Sequence, residues 1–239
     1  MNFAGRRLYA DFLKRVLDFL LALAAIVLLS PLLLALTVLG AVMMRGNPFF
    51  AQPRPGKGER VFRLVKFRTM TDASDADGNL LPDEARLNAY GRFLRASSLD
   101  ELPELLNVVR GDMALVGPRP QLVRDMVFMT PEQRRRHSVR QGITGLAQVN
   151  GRNAVSWEEK LDRDLEYVRD ITFPGDLKIL LATVSKVLRR EGVAEEGRET
   201  ATDFGDYLLA SGKIDRSEYD RGQEEAKRLL DAAVGRARE

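Results

Sequence analysis

The sequence predicts a mainly helical α/β protein held to a membrane by its N-terminus. Three observations predict it. A charge-free run from Phe19 to Met44 is interrupted at Ser30-Pro31. Two short apolar runs, Phe49 to Gln52 and Val61 to Phe67, flank a Pro/Gly-rich tip. Helical patterns follow, among them a basic amphipathic one over Asp176 to Arg190. Together they give an N-terminal re-entrant helix-break-helix, a small β-hairpin and amphipathic interface helices. The boundaries fall at 1–46 for the anchor, 47–193 for the body and 194–239 for a helical tail.

The apolar run would reach roughly 39 Å as a straight helix, enough for a bilayer core of about 30 Å. Two features argue for re-entry instead. Pro31 removes a backbone donor near the middle of the run, and each half alone spans only about 20 Å. Basic residues also flank both ends, with Lys14 and Arg15 before the run and Arg45, Arg54 and Lys57 after it. The positive-inside rule then holds both flanks on one side. Lys14 and Arg15 lie four and three residues before Asp18, a spacing that predicts a helix-face ion pair.

Phe49 to Gln52 and Val61 to Phe67 read as a hairpin with a mobile tip at Pro53 to Gly58. Gly56-Lys57-Gly58 lacks the ending of a nucleotide P-loop. Thr71 to Asn88, rich in Asp, Asn and Gly, reads as a solvated surface loop, and its calcium-like spacing is rejected because Ala73 stands at the first ligand position and Pro82 lies within it. Leu99 to Val109, Gln121 to Met129 and Trp157 to Arg169 read as helices. The Asp176 to Arg190 helix has two open readings, packing on the body or lying at the membrane interface.

The tail from Ala194 carries a net charge of −4, which leaves +7 for the rest of a chain whose total is +3. Asp203 to Ala210 and Ser217 to Ala233 read as two short helices with no evident chemistry. The basic body suits an anionic membrane surface or a phosphorylated substrate. No nucleic-acid-binding motif is present, so nucleic acid is not an expected partner. With no cysteine and a single histidine, His137, disulfides and thiolate metal sites are excluded.

Ser98-Leu99-Asp100-Glu101-Leu102-Pro103 carries the chemistry. One reading is structural, a capping box in which Ser98 caps and Glu101 reaches back. The other is functional. An ionised carboxylate can attack phosphorus to give an acyl phosphate, and Asp100 and Glu101, facing different ways, would divide attack from proton or metal handling. Hard oxygen ligands beside a diphosphate imply Mg²⁺ rather than zinc. Candidate phosphate-binding cations are Lys66, Arg68, Arg95, Arg119, Arg140 and Arg152, since guanidinium groups grip phosphate with two hydrogen bonds. Arg119 stands out because Pro118 and Pro120 restrict its backbone. Arg134-Arg135-Arg136-His137 reads as a solvated helix face, and His137 as structural.

These stretches resemble the bacterial sugar transferases known as monotopic phosphoglycosyl transferases. The likeness runs through Lys14-Arg15-Val16-Leu17-Asp18, Ser30-Pro31, Lys66-Phe67-Arg68-Thr69-Met70 and Gly91-Arg92-Phe93-Leu94-Arg95. It continues through the Ser98 to Pro103 stretch, Gly111-Asp112-Met113, Leu115 to Pro120, Gly142 to Gly145 and Val149 to Trp157. It covers roughly residues 11–193.

The resemblance implies a re-entrant anchor and a small α/β catalytic body on the cytoplasmic face of the bacterial inner membrane. It implies Mg²⁺-dependent transfer of a phosphosugar from a UDP-sugar to undecaprenyl phosphate, releasing UMP and initiating glycan assembly. By the same resemblance Asp100 is the nucleophile and a metal contact, and Glu101 is the base that activates the acceptor. Arg95 and Arg119 match phosphate-site arginines, with Lys66, Arg68, Arg140 and Arg152 as further substrate-binding positions. Implied partners are the UDP-sugar, undecaprenyl phosphate, membrane lipids, and a second copy or downstream glycosyltransferases. The chain looks like a minimal member, and Asn150 to Lys160 resembles small members acting on N-acetylated, often bacillosamine-type sugars. Gln141 departs from a usual proline and Leu146 from a common tryptophan.

Two alternatives stay open. One is a catalytically silent membrane scaffold that recruits partners through its tail. The other is a hydrolase using Asp100. UMP release that depends on the lipid separates all three.

Overall fold

The computed structural model describes residues 8–151, 156–189 and 202–236. A π-helical turn, Tyr9–Leu13, leads into the long helix α1, Lys14–Met43. α1 continues through Pro31, which corrects the expected helix-break-helix. The reason lies one residue earlier. Pro31 has no N–H to offer the Val27 carbonyl four residues back, and Ser30 Oγ donates to that same carbonyl at 2.8 Å. The acceptor stays satisfied and the helix continues past Pro31, which is the point at which it can bend.

Both halves of α1 pack on one body. Before Pro31, Ala22, Ala25 and Ile26 meet Leu64, Leu105, Val108 and Met113. After it, Leu33, Leu36 and Met44 meet Phe67, Tyr90, Leu94, Leu99 and Leu102. The opposite face is apolar and bare, with Val27, Leu28, Leu34, Val38 and Val42 all exposed. An apolar face left open over this length marks a lipid contact rather than a soluble surface. The protein is membrane-associated through α1.

β1, Phe49–Pro55, and β2, Val61–Phe67, pair antiparallel with Phe49 opposite Phe67 and Pro55 opposite Val61. The tip expected to be mobile is pinned, because Arg134 grips Glu59 through two bonds of 2.7 and 2.6 Å. The following loop holds two isolated bridges, Met70 with Leu87 and Ser74 with Leu80, and a short helix, α2, Asp83–Arg86. Next come α3, Ala89–Ser97, and α4, Glu104–Arg110. Gly91 lets α3 approach the hairpin exit, since a Cβ there would lie 1.9 Å from the Thr69 carbonyl oxygen. Arg15 donates to the Val108 and Val109 carbonyls at 2.6 and 3.0 Å and so caps the C-terminal end of α4. Lys14, not Arg15, makes the ion pair with Asp18 at 3.5 Å, and it also reaches Asp176 at 2.7 Å.

A second sheet pairs β3, Met113–Val116, with β4, Gln141–Thr144, in parallel. The crossover carries α5, Val123–Met126, and α6, Pro131–Arg134. Gly142 is required here, since a Cβ would stand 2.1 Å from the Gly117 nitrogen. The remaining helices are α7, Leu146–Val149, α8, Trp157–Arg169, α9, Phe173–Arg189, α10, Phe204–Ala210, and α11, Arg216–Arg236.

The two readings of α9 are not exclusive. Ile179 and Leu180 pack on Val116 and Tyr167, while Leu177, Leu181 and Val184 on the other side are exposed. The tail helices dock on the body, with Phe204 and Leu208 against Met129 and Leu161, and Ala226 against Val123 and Met126. The solvated face expected at Arg134 to His137 is also corrected. Arg136 and His137 are fully buried, and Arg136 is bound by Asp164 at 2.7 Å.

Candidate active site

The acids sit where three elements meet. α3 ends at Ser98, which adopts left-handed backbone angles (φ 55°, ψ 19°), and a 3₁₀ turn over Leu99–Glu101 reverses the chain into α4. Ser98 makes no side-chain cap, so the capping box does not form. Leu99 and Leu102 instead fix the turn by packing in the cluster that holds Leu33 and Leu36 of α1. The two acids are therefore seated directly over the anchor helix.

β2 supplies Lys66, whose Nζ lies 2.9 Å from Glu101 and 3.1 Å from the buried Glu104. The loop after β3 supplies Arg119, 2.6 Å from Glu101. That loop is held at three successive carbonyls. Pro118 accepts from the Gly142 N–H, Arg119 from Arg136 and Pro120 from Arg54. Two prolines remove backbone freedom and the three donors fix what is left. α4 is tied to β2 by Asn107, which accepts from the Val65 N–H at 3.0 Å and donates to the Arg63 carbonyl at 2.8 Å.

Asp100 differs from its neighbours. Glu101 and Glu104 are engaged by cations, whereas the Asp100 carboxylate has no hydrogen bond or ion pair among the described residues. Burial pushes the Asp100 carboxyl up to about 6, the charge of Glu101 adds to this, and Lys66, Arg119 and Arg95 oppose it. Burial alone would raise Glu101 as well, but Arg119 and Lys66 outweigh it and hold that carboxyl well below its usual range. Glu104 is pushed up to about 7 by burial against the pull of Lys66. A free half-buried carboxylate facing three cations is suited to attack on, or coordination beside, a phosphate.

Of the residues singled out in the sequence, Asp100, Glu101, Lys66 and Arg119 come together. Arg95 acts on Asp100 through its charge and donates to Thr69 Oγ1 at 3.2 Å. Arg68 instead pairs with Asp72, and Arg140 donates to the Gly111 carbonyl at 2.8 Å. Arg152 lies outside the described residues. Among the described residues no group of three or more His, Cys, Asp or Glu side chains forms a metal cage.

A protein-family model described as bacterial sugar transferase matches residues 9–190. The chain belongs to that family. This sugar transferase is 50% identical over 193 residues to the uncharacterized sugar transferase EpsL of Bacillus subtilis, covering 80% of this chain and 95% of the relative. It is 38% identical over 197 residues to the UDP-glucose:undecaprenyl-phosphate glucose-1-phosphate transferase of Caulobacter vibrioides, covering 76% and 72%. It is also 38% identical over 185 residues to the UDP-N-acetylgalactosamine-undecaprenyl-phosphate N-acetylgalactosaminephosphotransferase of Aeromonas hydrophila, covering 74% of this chain and 44% of that protein.

Several residues of the candidate site give no signal in the sequence. Glu104 looks like an ordinary first-turn acid of a helix, and Asn107 like a surface amide. Arg54 looks like a hairpin-tip or membrane-flanking charge. His137 is held neutral, pushed down to about 3 by burial and the Arg136 charge, which agrees with a structural role. Beside the acids lies a cavity of about 180 Å³, lined by Arg54, Lys66, Glu104, Arg119, Trp157 and Asp203. Asp203 belongs to the tail, where the sequence showed no chemistry.

Proposed function

We propose that this enzyme transfers a phosphosugar from a UDP-sugar to undecaprenyl phosphate through an aspartyl-phosphosugar intermediate. The free carboxylate of Asp100, among Lys66, Arg95 and Arg119 and seated on the anchor helix, is the observation that carries this reading. The named activities of the Caulobacter and Aeromonas relatives support the same general reaction.

In the first step an Asp100 oxygen attacks the phosphorus bearing the sugar, and the bond to the UMP oxygen breaks. In the second step the phosphate oxygen of the lipid attacks the same phosphorus and releases Asp100. The product is a lipid diphosphate sugar, and no water is consumed. Arg119 and Lys66 neutralise charge on the diphosphate, and as they turn to it Glu101 regains the basicity to take a proton from the acceptor.

Asp100 is also the residue that would hold Mg²⁺. This ion commonly uses one or two carboxylates together with substrate phosphates and water, so an all-protein cage is not required. When bound, it supplies charge neutralisation on the diphosphate and the leaving UMP. The apolar outer faces of α1 and α9 fit a body lying on the cytoplasmic face of the inner membrane, with α1 re-entrant. Both halves of α1 pack on the same body, which supports that topology.

The test is UMP release from UDP-glucose, UDP-galactose and N-acetylated UDP-sugars including a bacillosamine type, with Mg²⁺ and with or without undecaprenyl phosphate. Release that needs the lipid and disappears in Asp100→Asn is expected. Release without lipid indicates a hydrolase, and no release from any donor indicates a scaffold.

A further inference from the structure

The cavity beside the acids has a wall that the family match does not supply. Lys66, Glu104, Arg119, Arg54 and Trp157 line it from within the matched body, and Asp203 lines it from the tail. Asp203 lies beyond residue 190, where the family match ends. The tail that carries it is firmly docked. Trp157 Nε1 donates to the Thr202 carbonyl at 3.1 Å, and the Phe204 N–H donates to Asp125 at 2.9 Å. Arg124 pairs with Asp203 at 2.5 Å. Phe128 is clasped between two tail glycines, where a Cβ on Gly205 or Gly222 would come within 2.5 or 2.3 Å of its ring.

We propose that this cavity is the subsite for the sugar ring of the donor, and that Asp203 in its lining helps determine which sugar is accepted. The inference rests on the transferase reaction proposed above. Three observations lead to it. First, the cavity shares Lys66 and Arg119 with the reacting cluster, so it adjoins the phosphorus that is transferred. The group bonded to that phosphorus is the sugar, whereas the nucleoside lies one phosphate further away. Second, about 180 Å³ far exceeds the roughly 10–15 Å³ that one water needs.

Third, a buried polar atom of the lining, the donor Arg54 Nε, has no hydrogen-bond partner, and Glu104 Oε1 has only Lys66 beside it at 3.1 Å. Buried polar atoms are normally satisfied, and a sugar hydroxyl both donates and accepts. Trp157 also lines the cavity, and Asp203 brings a carboxylate acceptor to it. Because the tail contributes this carboxylate, donor preference can differ from that of relatives that share the rest of the lining.

The experiment compares affinities for UDP and for UDP-sugars by calorimetry, in an Asp100→Asn background that cannot turn over. The parent is expected to bind one UDP-sugar more tightly than UDP. Asp203→Asn is expected to reduce that preference about tenfold or more, as for a lost hydrogen bond to a charged group, with UDP affinity unchanged. Arg124→Gln breaks the ion pair and keeps Asp203, so it is expected to keep the preference.

Three results overturn the subsite. They are a parent that binds no UDP-sugar better than UDP, an Asp203→Asn variant with unchanged preference, and an Arg124→Gln variant that reproduces the Asp203→Asn loss. If Asp203→Asn does not fold, Asp203→Glu decides. It keeps the charge and lengthens the side chain into the cavity, so it must shift preference towards smaller sugars, and an unchanged profile overturns the assignment. Lipid-dependent UMP release by the wild type is scored separately. Its absence overturns the reaction and the subsite together, whereas an unchanged Asp203 profile with that release intact overturns the subsite alone.

Discussion

The side-chain amide of Asn107 closes on the edge of β2 at Val65, accepting its N–H at 3.0 Å, and returns a bond to the Arg63 carbonyl at 2.8 Å. Asn107 thus does for β2 what a neighbouring strand would do, and it sets the register between Lys66 and the two glutamates. Asn107→Leu removes the side-chain partner of two backbone groups, the Val65 N–H and the Arg63 carbonyl. It is expected to cost roughly 1–3 kcal/mol for each group left unsatisfied and to lower the melting temperature by several degrees. Thermal unfolding in nanodiscs checks this. The same variant is expected to lose turnover beyond its loss of folded protein, because Lys66 is no longer held against Glu101.

The acidic side of the pH profile follows from Asp100. Attack requires the carboxylate, whose pKa is pushed up to about 6, chiefly by burial. In single-turnover experiments the rate of UMP release is therefore expected to fall as pH drops through about 6, rather than through the usual range near 4. Stability runs the other way for this group. Its folded pKa lies above the unfolded value of 3.8, so the folded state binds more protons between the two, and stability falls as pH rises across that window. Glu104 acts in the same direction between 4.5 and about 7. Glu101 opposes both: its stabilisation is present above 4.5 and is lost as pH falls through its depressed folded pKa. Asp100→Asn is expected to remove the Asp100 part of the stability slope, which chemical denaturation at several pH values measures.

Lys66 is the shared cation of Glu101 and Glu104. Lys66→Met leaves two acids close together with Arg119 as the cation paired to Glu101. Removing one partner of a largely buried pair is commonly worth about 3–5 kcal/mol. A value towards the lower end is expected here, since Arg119 remains. The loss should be largest above pH 7, where Glu104 is charged, and should shrink in Lys66→Met combined with Glu104→Gln. Denaturation midpoints for the two variants at pH 6 and pH 8 decide the matter.

What the sequence disclosed and what it hid differ in physical kind. The mixed-charge stretch Trp157 to Arg169 reads as a helix and is one, with the same bounds, and the structure adds Ser156 as its cap. The hairpin was found from its apolar runs and proline-rich tip, with β1 extending beyond the expected Gln52 to Pro55. β3 and β4 went unseen, because four-residue strands are too short to show a period. Asp100, Glu101, Lys66 and Arg119 were legible as charged residues in constrained stretches. Glu104, Asn107 and Arg54 were not, since their roles arise only when β2 folds against α4. The continuation of the helix through Pro31 is not legible in residue types, because proline reads as a breaker. Asp203 stays hidden for the same reason as Glu104: its segment is placed by contacts between residues far apart in the chain, such as those of Thr202 with Trp157 and Phe204 with Asp125.

Topology supplies the last prediction. Arg15, at the start of α1, donates to the end of α4, and Asn88, beside α3, donates to the Met43 carbonyl at the far end at 3.3 Å. A helix crossing a core of about 30 Å would place these ends on opposite sides, yet both are bonded to one body. The chain contains no cysteine, so single cysteines at the exposed positions Asp11 and Asn47 can be read without background. Both Asp11→Cys and Asn47→Cys are expected to react with an impermeant maleimide only after inner-membrane vesicles are turned cytoplasmic side out. Labelling of the two from opposite sides would establish a spanning α1 and refute re-entry. It would also require the contacts of Ala22 or those of Leu36 to break in the membrane, a change that cross-linking between introduced cysteines at Leu36 and Leu94 would report.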